Sequence, residues 1–256
     1  MVSIATWNVN SIRARLAHLT TWLGEAAPDV VAIQETKVQD ADFPKDELAA
    51  LGYHVLFSGQ KSYNGVALLS KRPATLVATD IPGFDDPQRR VLAARVDDCL
   101  VVDLYVPNGS EVGSEKYAYK LAWLDALTAW VATLMASEPR IVLLGDFNIA
   151  PDDRDVHDPE AWRGKILCSE AERERLRALT ALGLVDVFRS FEQAPQSFSW
   201  WDYRGGGFRR NEGLRIDLIL ASAALGIGCA GCAIDLAPRR WEKPSDHAPV
   251  IARWTA

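Results

Sequence analysis

Oxygen-bearing side chains follow the apolar, strand-like runs of this sequence at the point where each run ends. The residues placed in this way after four runs are Asn8, Glu35, Asn108, and the pair Asp146 and Asn148. Clustered carboxylates repel one another and raise one another's pKa unless a cation lies between them. Carboxylate and amide oxygens suit Mg²⁺ or Mn²⁺, whereas a Zn²⁺ site would require more His or Cys. The spacing therefore predicts a site that depends on a hard divalent metal.

Two further runs begin, rather than end, with such groups. Asp217 lies at the start of one, and Asp246 and His247 directly precede the last run of the chain. If these two strands run antiparallel to the others, all of these side chains meet at one rim. The alternative is that acids at strand ends are ordinary turn residues, which is the commoner case for a single acid. That alternative weakens here because every run near an acid ends in the same way.

The elements that position these residues are short and mostly β. Nine apolar runs predict strands: Val2–Trp7, Val30–Gln34, His54–Phe57, Val66–Leu69, Val91–Val96, Leu100–Val106, Ile141–Leu144, Ile216–Leu220 and Pro249–Trp254. Leucines that recur on one face predict helices over Arg13–Glu25, Tyr117–Met135 and Ser169–Leu182. Strands outnumber helices and several follow each other directly. The sequence therefore predicts an α/β fold in which two mixed sheets pack face to face with helices outside.

Length and composition limit the classes of protein. The chain has 256 residues, 48% of them hydrophobic, so it can bury a large core, and no linker divides it, which predicts one domain over residues 1–256. A formal charge of −6 gives no general attraction to nucleic acid or to an anionic membrane. With no basic leader and no apolar run near the ~20 residues that span a bilayer, we expect a soluble, cytoplasmic protein. Four cysteines are too few for a disulfide scaffold, and a redox role for the Cys229 and Cys232 pair is a minor alternative.

Six motifs, taken in order, make the sequence recognisable. They are Thr6-Trp7-Asn8-Val9-Asn10, Gln34-Glu35-Thr36-Lys37, Tyr63-Asn64-Gly65-Val66-Ala67, Gly145-Asp146-Phe147-Asn148-Ile149, Gly213-Leu214-Arg215-Ile216-Asp217 and Ser245-Asp246-His247-Ala248-Pro249. Together they resemble the exonuclease III family of apurinic/apyrimidinic (AP) endonucleases, within the endonuclease/exonuclease/phosphatase superfamily. The resemblance implies a four-layer α/β sandwich of the DNase I-like type. It also implies Mg²⁺-dependent hydrolysis of DNA on the 5′ side of an abasic nucleotide, with Mn²⁺ able to substitute, and accompanying 3′ to 5′ exonuclease and 3′-end-cleaning activities.

The resemblance assigns roles within this set. Glu35 is the chief metal ligand, and the full metal set is Asn8, Glu35, Asp146, Asn148, Asp246 and His247. Asp146, held by Asn148, orients and deprotonates the attacking water or instead protonates the leaving group; the sequence leaves both open. Two hydrogen-bond donors to the phosphate are expected: His247, held by Asp217, and the phenol of Tyr105.

DNA contacts are expected from residues in the loops near these motifs. Phosphate contacts are assigned to Arg90, Lys116, Arg209 and Arg215, although loop cations of this kind are as often simply solvated. Asn108 stands where some family members have Gln. Trp200, Leu214 and Ile216 match the pocket for the abasic sugar, and core packing is the alternative for Trp200, as it is the expectation for Trp201 and Tyr203.

The implied partner is double-stranded DNA that contains abasic sites or blocked 3′ ends, bound by a monomer. One alternative is an enzyme that is mainly a 3′ exonuclease and 3′-phosphatase with weak AP endonuclease activity. A phosphatase of inositol phosphates or sphingomyelin, from the same superfamily, should lack the Gln34–Lys37 and Gly213–Asp217 motifs in these forms. A silent DNA-binding scaffold would tolerate loss of Glu35, Asp146 or His247, and all three are present.

Overall fold

Fourteen strands and seven helices lie within residues 2–255, the part of the chain that the computed structural model describes. The strands are β1 (Val2–Asn8), β2 (Val30–Gln34), β3 (His54–Ser58), β4 (Val66–Ser70), β5 (Ala74–Ala78), β6 (Val91–Val96), β7 (Cys99–Tyr105), β8 (Ile141–Asp146), β9 (Leu184–Asp186), β10 (Trp200–Trp201), β11 (Gly213–Leu214), β12 (Asp217–Ser222), β13 (Cys229–Ile234) and β14 (Val250–Trp254). The helices are α1 (Ile12–Ala26), α2 (Lys45–Ala49), α3 (Glu115–Ser137), α4 (Pro159–Trp162), α5 (Glu170–Thr180), α6 (Gly207–Arg210) and α7 (Ala223–Gly226).

Two six-stranded sheets form the centre of the protein. Their strand orders are β13-β14-β1-β2-β4-β3 and β5-β6-β7-β8-β12-β9, and a separate two-stranded ribbon pairs β10 with β11. Each large sheet is mixed, because β1 runs parallel to β2 and β7 runs parallel to β8 while their other neighbours are antiparallel. The predicted pair of mixed sheets is confirmed.

Alternating side chains divide the interior into three apolar layers. Val101 of β7 packs between the sheets, with residues of β2, β4 and β12, whereas its neighbours Val102 and Leu104 pack against α3 and α5 on the outer face. On the other sheet, Val31 and Ile33 pack against α1. With helices on both outer faces, the four-layer α/β sandwich is confirmed.

Helices begin close to the predicted positions. α1, α3 and α5 each start after a serine whose hydroxyl accepts a backbone N–H of the first turn, at Ser11, Ser114 and Ser169. At Ser169 a capping box also uses the carboxylate of Glu172. These caps fix where α3 and α5 begin, and both of these helices pack on the outer face of the sheet that carries Asp146.

Several elements differ from the sequence-based prediction. The strands β5, β9, β10, β11 and β13 were not predicted. Cys229 and Cys232 lie in β13 as free thiols, and burial raises the pKa of Cys232, which does not favour redox chemistry. Trp201 is core as predicted, but Tyr203 is 49% exposed, so its core prediction was wrong. Within the described residues, no helix has the length and apolar character needed to cross a membrane.

Candidate active site

The predicted site residues lie together at one rim of the sandwich. The parallel strands β1 and β2 deliver Asn8 and Glu35 to that rim of the first sheet. In the second sheet, β12 runs antiparallel to β8, and Asp217 lies directly opposite Asp146. β14 is likewise antiparallel to β1, so the segment before β14 brings His247 to the same rim. The predicted antiparallel arrangement is confirmed.

Glu35 and Asp146 are bridged by the amide of Asn8. Asn8 Nδ2 donates to Glu35 Oε1 at 2.8 Å and to Asp146 Oδ2 at 2.9 Å. Burial raises the pKa of Asp146, and the negative charges of Asp217 and Glu35 add to that effect, while His247 opposes it. Two carboxylates in this environment repel each other, and a divalent cation would offset that repulsion.

The donor set fits a hard cation. Single ligand atoms of Glu35, Asp146 and His247 lie within 4.8 Å of one another. Carboxylate oxygens from Glu35 and Asp146 are the ligand chemistry that Mg²⁺ and Mn²⁺ favour, whereas the Asn8 amide turns its Nδ2 toward both carboxylates and its Oδ1 accepts from Asn10 N, so its predicted ligand role has less support. Lys37 Nζ lies 2.7 Å from Glu35 Oε2 and neutralises part of this charge. The site can therefore hold a divalent metal ion.

His247 forms a buried pair with Asp217. His247 Nδ1 lies 2.9 Å from Asp217 Oδ2, and Nε2 lies 3.7 Å from Asp146 Oδ2. Burial lowers the pKa of His247, but Asp217 and Asp146 outweigh it and raise that pKa to about 10. His247 is therefore placed to donate a hydrogen bond from Nε2, while its predicted ligand role stays a prediction, because its ring lies in the same group of possible ligands as Glu35 and Asp146. Ser199 Oγ donates to Asp217 Oδ2 at 2.6 Å and helps to fix the pair.

Tyr105 ends β7 at the same rim. Burial raises the pKa of its hydroxyl well above the usual range, and the charges of Glu35 and Asp146 add to this effect. The guanidinium of Arg90 lies 4.7 Å from the Tyr105 ring centroid, and Arg90 Nη1 donates to the Tyr105 carbonyl. Tyr105 therefore keeps its proton near neutral pH, with Arg90 packed against its ring, and its predicted hydrogen bond to the phosphate stays a prediction.

Asn148 holds Asp146 through its backbone rather than its side chain. Asn148 N donates to Asp146 Oδ1 at 2.9 Å. Its amide oxygen accepts from Asn108 Nδ2 at 3.0 Å, and its Nδ2 donates to the Val106 carbonyl. Both ends of this amide have protein partners, so its predicted part in metal ligation has less support than its predicted part in positioning Asp146.

Lys120 is a supporting residue that is not among the predicted site residues and that the structure buries in α3. Its Nζ donates to the carbonyls of Asn108 and Asn148 at 3.1 and 2.7 Å, and it forms an ion pair with the buried Glu172. A signal was present, because Lys120 falls on the apolar face of α3 between Tyr117 and Trp123. A lysine at such a position requires a buried partner.

Asp246 lies beside the central group in a network of its own. It accepts from Asn10 Nδ2 at 2.9 Å and from the Trp200 indole N–H at 3.0 Å. Lys37 Nζ donates to Asn10 Oδ1, which links Asp246 to the Glu35 side of the site. Burial raises the pKa of Asp246, but His247, Asn10 and Trp200 outweigh it and lower that pKa. Asp246 therefore stays ionised near the site, as a predicted metal ligand must.

A cavity of about 290 Å³ opens beside these groups. Trp200 and Ile216, both predicted, line it. Leu214 does not, because it is fully buried beneath the wall, so its predicted contact with the substrate was wrong. The sequence analysis missed three further apolar residues of the wall: Trp162, Ile166 and Leu167. Ile166 and Leu167 could have been found from the sequence, because they form an apolar pair just before Ser169, the N-cap of α5.

The four arginine and lysine residues assigned to DNA lie in different environments. Arg90 and the exposed Lys116 line a second cavity, of about 360 Å³, which shares Tyr105 and Asn108 with the first. Arg209 is exposed on α6, and within residues 2–255 neither it nor Lys116 has an ion-pair partner. Arg215 is 1% exposed and pairs with Asp155 and Asp186, so its predicted phosphate contact was wrong.

Comparison with known proteins agrees with this geometry. The model of the endonuclease/exonuclease/phosphatase family matches residues 5–247. The chain belongs to this family. It is 36% identical to exodeoxyribonuclease III of Haemophilus influenzae, over 97% of this chain and 98% of the relative, and 33% identical to the exodeoxyribonuclease of Bacillus subtilis, with the same coverage.

Solved structures of family members superpose closely. The 3′ phosphatase NExo from Neisseria, bound to a product DNA hairpin, has a TM-score of 0.98 at 43% identity, and an AP endonuclease from Archaeoglobus fulgidus has 0.96 at 38%, each over the full length of both chains. The predicted family, the four-layer fold and the prediction of a hydrolytic nuclease are confirmed. The roles of single residues remain predictions.

Proposed function

We propose that this protein is a divalent-metal-dependent DNA repair nuclease that hydrolyses the phosphodiester on the 5′ side of an abasic nucleotide. The observation that carries the proposal is the position of the small apolar-walled cavity directly beside Asp146 and His247. An abasic sugar can enter this space, and we infer that the wall of Trp200 and Ile216 rejects a nucleotide that keeps its base. Specificity then comes from what fails to fit.

Three side chains act on the scissile phosphate. Asp146, fixed by Asn8 and by the backbone of Asn148, orients the attacking water and accepts its proton. His247 donates a hydrogen bond from Nε2 to a non-bridging oxygen, because its pair with Asp217 keeps the ring protonated. The phenol of Tyr105, which retains its proton, is the second donor.

Mg²⁺ or Mn²⁺ would be held chiefly by Glu35, with Asp146 and Asn8 beside it and Asp246 next to the group. When bound, such an ion stabilises negative charge on the phosphate and on the leaving oxygen. Glu35→Gln keeps the size of the side chain and removes its charge, so we expect it to weaken metal activation. Full cutting in excess chelator would contradict the metal requirement.

A second candidate function is 3′-end processing, as a 3′ phosphatase or 3′ to 5′ exonuclease. It is favoured by the likeness to the Neisseria 3′ phosphatase, which at 43% identity exceeds the 38% identity to the AP endonuclease. A terminal 3′ group reaches the same Asp146 and His247 without any nucleotide having to leave a continuous duplex. Both candidates use the same chemistry and differ only in how the substrate enters the cavity.

Two matched DNA duplexes separate the candidates. One carries a single abasic-site analogue within a continuous strand, and the other a nick with a 3′-phosphate at the same position. We expect the wild type to cut the first duplex 5′ to the abasic site when Mg²⁺ is present. The rate of cutting by Asp146→Asn should be lower by ~10²-fold or more, while its affinity for DNA is retained. Processing of the nicked duplex alone would favour the second candidate, and wild-type turnover by Asp146→Asn would refute the role of Asp146.

A further inference from the structure

A polar layer lies inside the apolar core between the two sheets, just beneath the catalytic rim. Thr6, Gln34 and Asp103 are each 0% exposed. Gln34 Nε2 donates to Thr6 Oγ1 at 2.9 Å and to Asp103 Oδ1 at 2.7 Å. Because β2 and β7 belong to different sheets, the hydrogen bond from Gln34 to Asp103 crosses the sandwich.

This polar layer lowers the stability of the folded protein. Burial raises the pKa of the Asp103 carboxyl well above its usual range, even though the hydrogen bond from Gln34 opposes the change. Asp103 Oδ2 is buried and has no hydrogen-bond partner among the described residues. A buried polar atom without a partner destabilises the folded state, and an apolar side chain of similar volume would avoid that cost. Stability therefore does not explain the presence of Asp103.

The catalytic rim lies directly above this layer. Gln34 is the last residue of β2, and the next residue, Glu35, has a φ of 55°. That left-handed conformation persists in a non-glycine residue only where surrounding contacts hold it. On β7, Tyr105 follows Asp103 on the same face, and its hydroxyl is close enough to Glu35 for that carboxylate to raise its pKa. The hydrogen bond from Gln34 to Asp103 thus joins β2 to β7 one residue before Glu35, and Glu35 and Tyr105 line the same cavity at the rim.

We propose that Asp103 is a positioning residue for the metal site: by accepting the hydrogen bond from Gln34, it fixes the end of β2 and so holds the carboxylate of Glu35 in place. The proposal rests on the proposed function, in which Glu35 is the chief metal ligand. It adds a residue of β7 that touches neither the substrate nor the metal. Groups that orient a ligand from behind typically change metal affinity or activity by roughly 10- to 100-fold when they are removed.

The test compares Asp103→Ala with a matched truncation, Val101→Ala. Val101 is also 0% exposed and lies on the same face of β7, one side chain farther from the rim. Mn²⁺ binding, followed by the loss of the free-ion electron paramagnetic resonance signal, gives a readout that does not depend on catalysis. We expect Asp103→Ala to weaken Mn²⁺ binding by ~10-fold and to raise the Mg²⁺ concentration for half-maximal cutting by a similar factor. Val101→Ala should leave both unchanged although it lowers the melting temperature.

Two further variants test the contact itself and do not depend on Asp103→Ala folding. Asp103→Asn keeps an acceptor oxygen for Gln34 and should bind Mn²⁺ like the wild type. Gln34→Met removes the donor from the other side and should reproduce the ~10-fold loss. Equal Mn²⁺ affinities in the Gln34→Met and Val101→Ala proteins, or a loss in Asp103→Asn as large as that in Gln34→Met, would overturn the proposal. Failure of the proposed function itself would be visible separately, as a wild-type protein that neither binds Mn²⁺ nor cuts DNA.

Discussion

Replacing Asp217 with Asn should change how cutting depends on pH. In the wild type, burial lowers the pKa of His247, and Asp217 is the largest of the influences that outweigh burial and raise it to about 10. The rise from the ordinary 6.5 corresponds to about 5 kcal/mol in favour of the imidazolium. Without the carboxylate of Asp217, we expect the pKa of His247 to fall by roughly 2 or more.

The direction of the pH effect on cutting depends on which protonation state of His247 is active. Because the protonated ring donates to the phosphate, the wild type keeps its donor until the pH approaches 10, and Asp217→Asn loses it at a lower pH. The stability that the pair contributes is likewise complete below pH 6.5 and is lost as the pH rises through about 10. If the pKa of His247 falls by roughly 2, about a quarter of the rings stay protonated at pH 8.5, so we expect kcat of Asp217→Asn to fall by ~4-fold there, by ~30-fold at pH 9.5 and little at pH 6.

The assay is single-turnover cutting of an abasic duplex between pH 6 and pH 9.5 with saturating Mg²⁺. The control is Ser199→Ala, which keeps the carboxylate of Asp217 and removes one hydrogen bond to it, at 2.6 Å. A hydrogen bond of this kind contributes about 1 kcal/mol to folding stability, so the control should be less stable, and any loss of kcat should be the same at every pH because the Asp217 carboxylate is retained. If Asp217→Asn also loses the same factor at every pH, then Asp217 does not act through the protonation of His247.

The remaining predictions concern DNA affinity, stability and specificity. Lys116→Ala should reduce the slope of log affinity against log salt by about 0.9, whereas the control Arg253→Ala, on the strand end away from the rim, should leave it unchanged; equal slopes would assign Lys116 to solvent. Arg215→Ala should lower the free energy of unfolding by roughly 3 kcal/mol, because Asp186 loses its arginine and Asp155 keeps only Arg189, against less than about 0.5 kcal/mol for the exposed Arg209→Ala, as checked by urea denaturation. Lys120→Met should be similarly destabilised, and adding Glu172→Gln should restore stability but not kcat, because the Asn148 carbonyl still lacks its donor. Trp200→Ala should narrow the ratio of cutting rates on duplexes with and without an abasic site, and an unchanged ratio in a folded variant would assign Trp200 to the core.

The fold was predictable where burial makes a strand continuously apolar. β2, β4 and β8 are buried along their whole length, and their runs were found with at most two residues of error. β5 and β13 form edges of the sheets, are half exposed, and contain Ala, Thr, Gly and Cys in place of an apolar run. Such strands are held by pairing with a neighbour, which a local pattern does not reveal.

The candidate site was predictable to the extent that its groups lie where strands end or begin. Asn8, Glu35, Asp146 and His247 were found in this way, and the sheet register then brought them together. The role of Arg215 was not predictable, because its partner Asp155 is 60 residues away in sequence. Nothing local distinguishes an arginine that binds phosphate from one that pairs with a buried acid.

Buried ion pairs hold the backbone of the cavity wall in place, which apolar packing cannot do. The segment from Phe147 to Ser169 carries the cavity wall but has only short helical turns of its own, and such a segment orders poorly without added contacts. The pair of Lys120 and Glu172 fixes its two ends, because Lys120 holds the Asn148 carbonyl and Glu172 accepts the backbone N–H groups of Leu167 and Ser169. Removing one charge would free both ends at once. Catalysis requires placement to within a fraction of an ångström, so these pairs serve the geometry of the wall even where an apolar pair would be as stable.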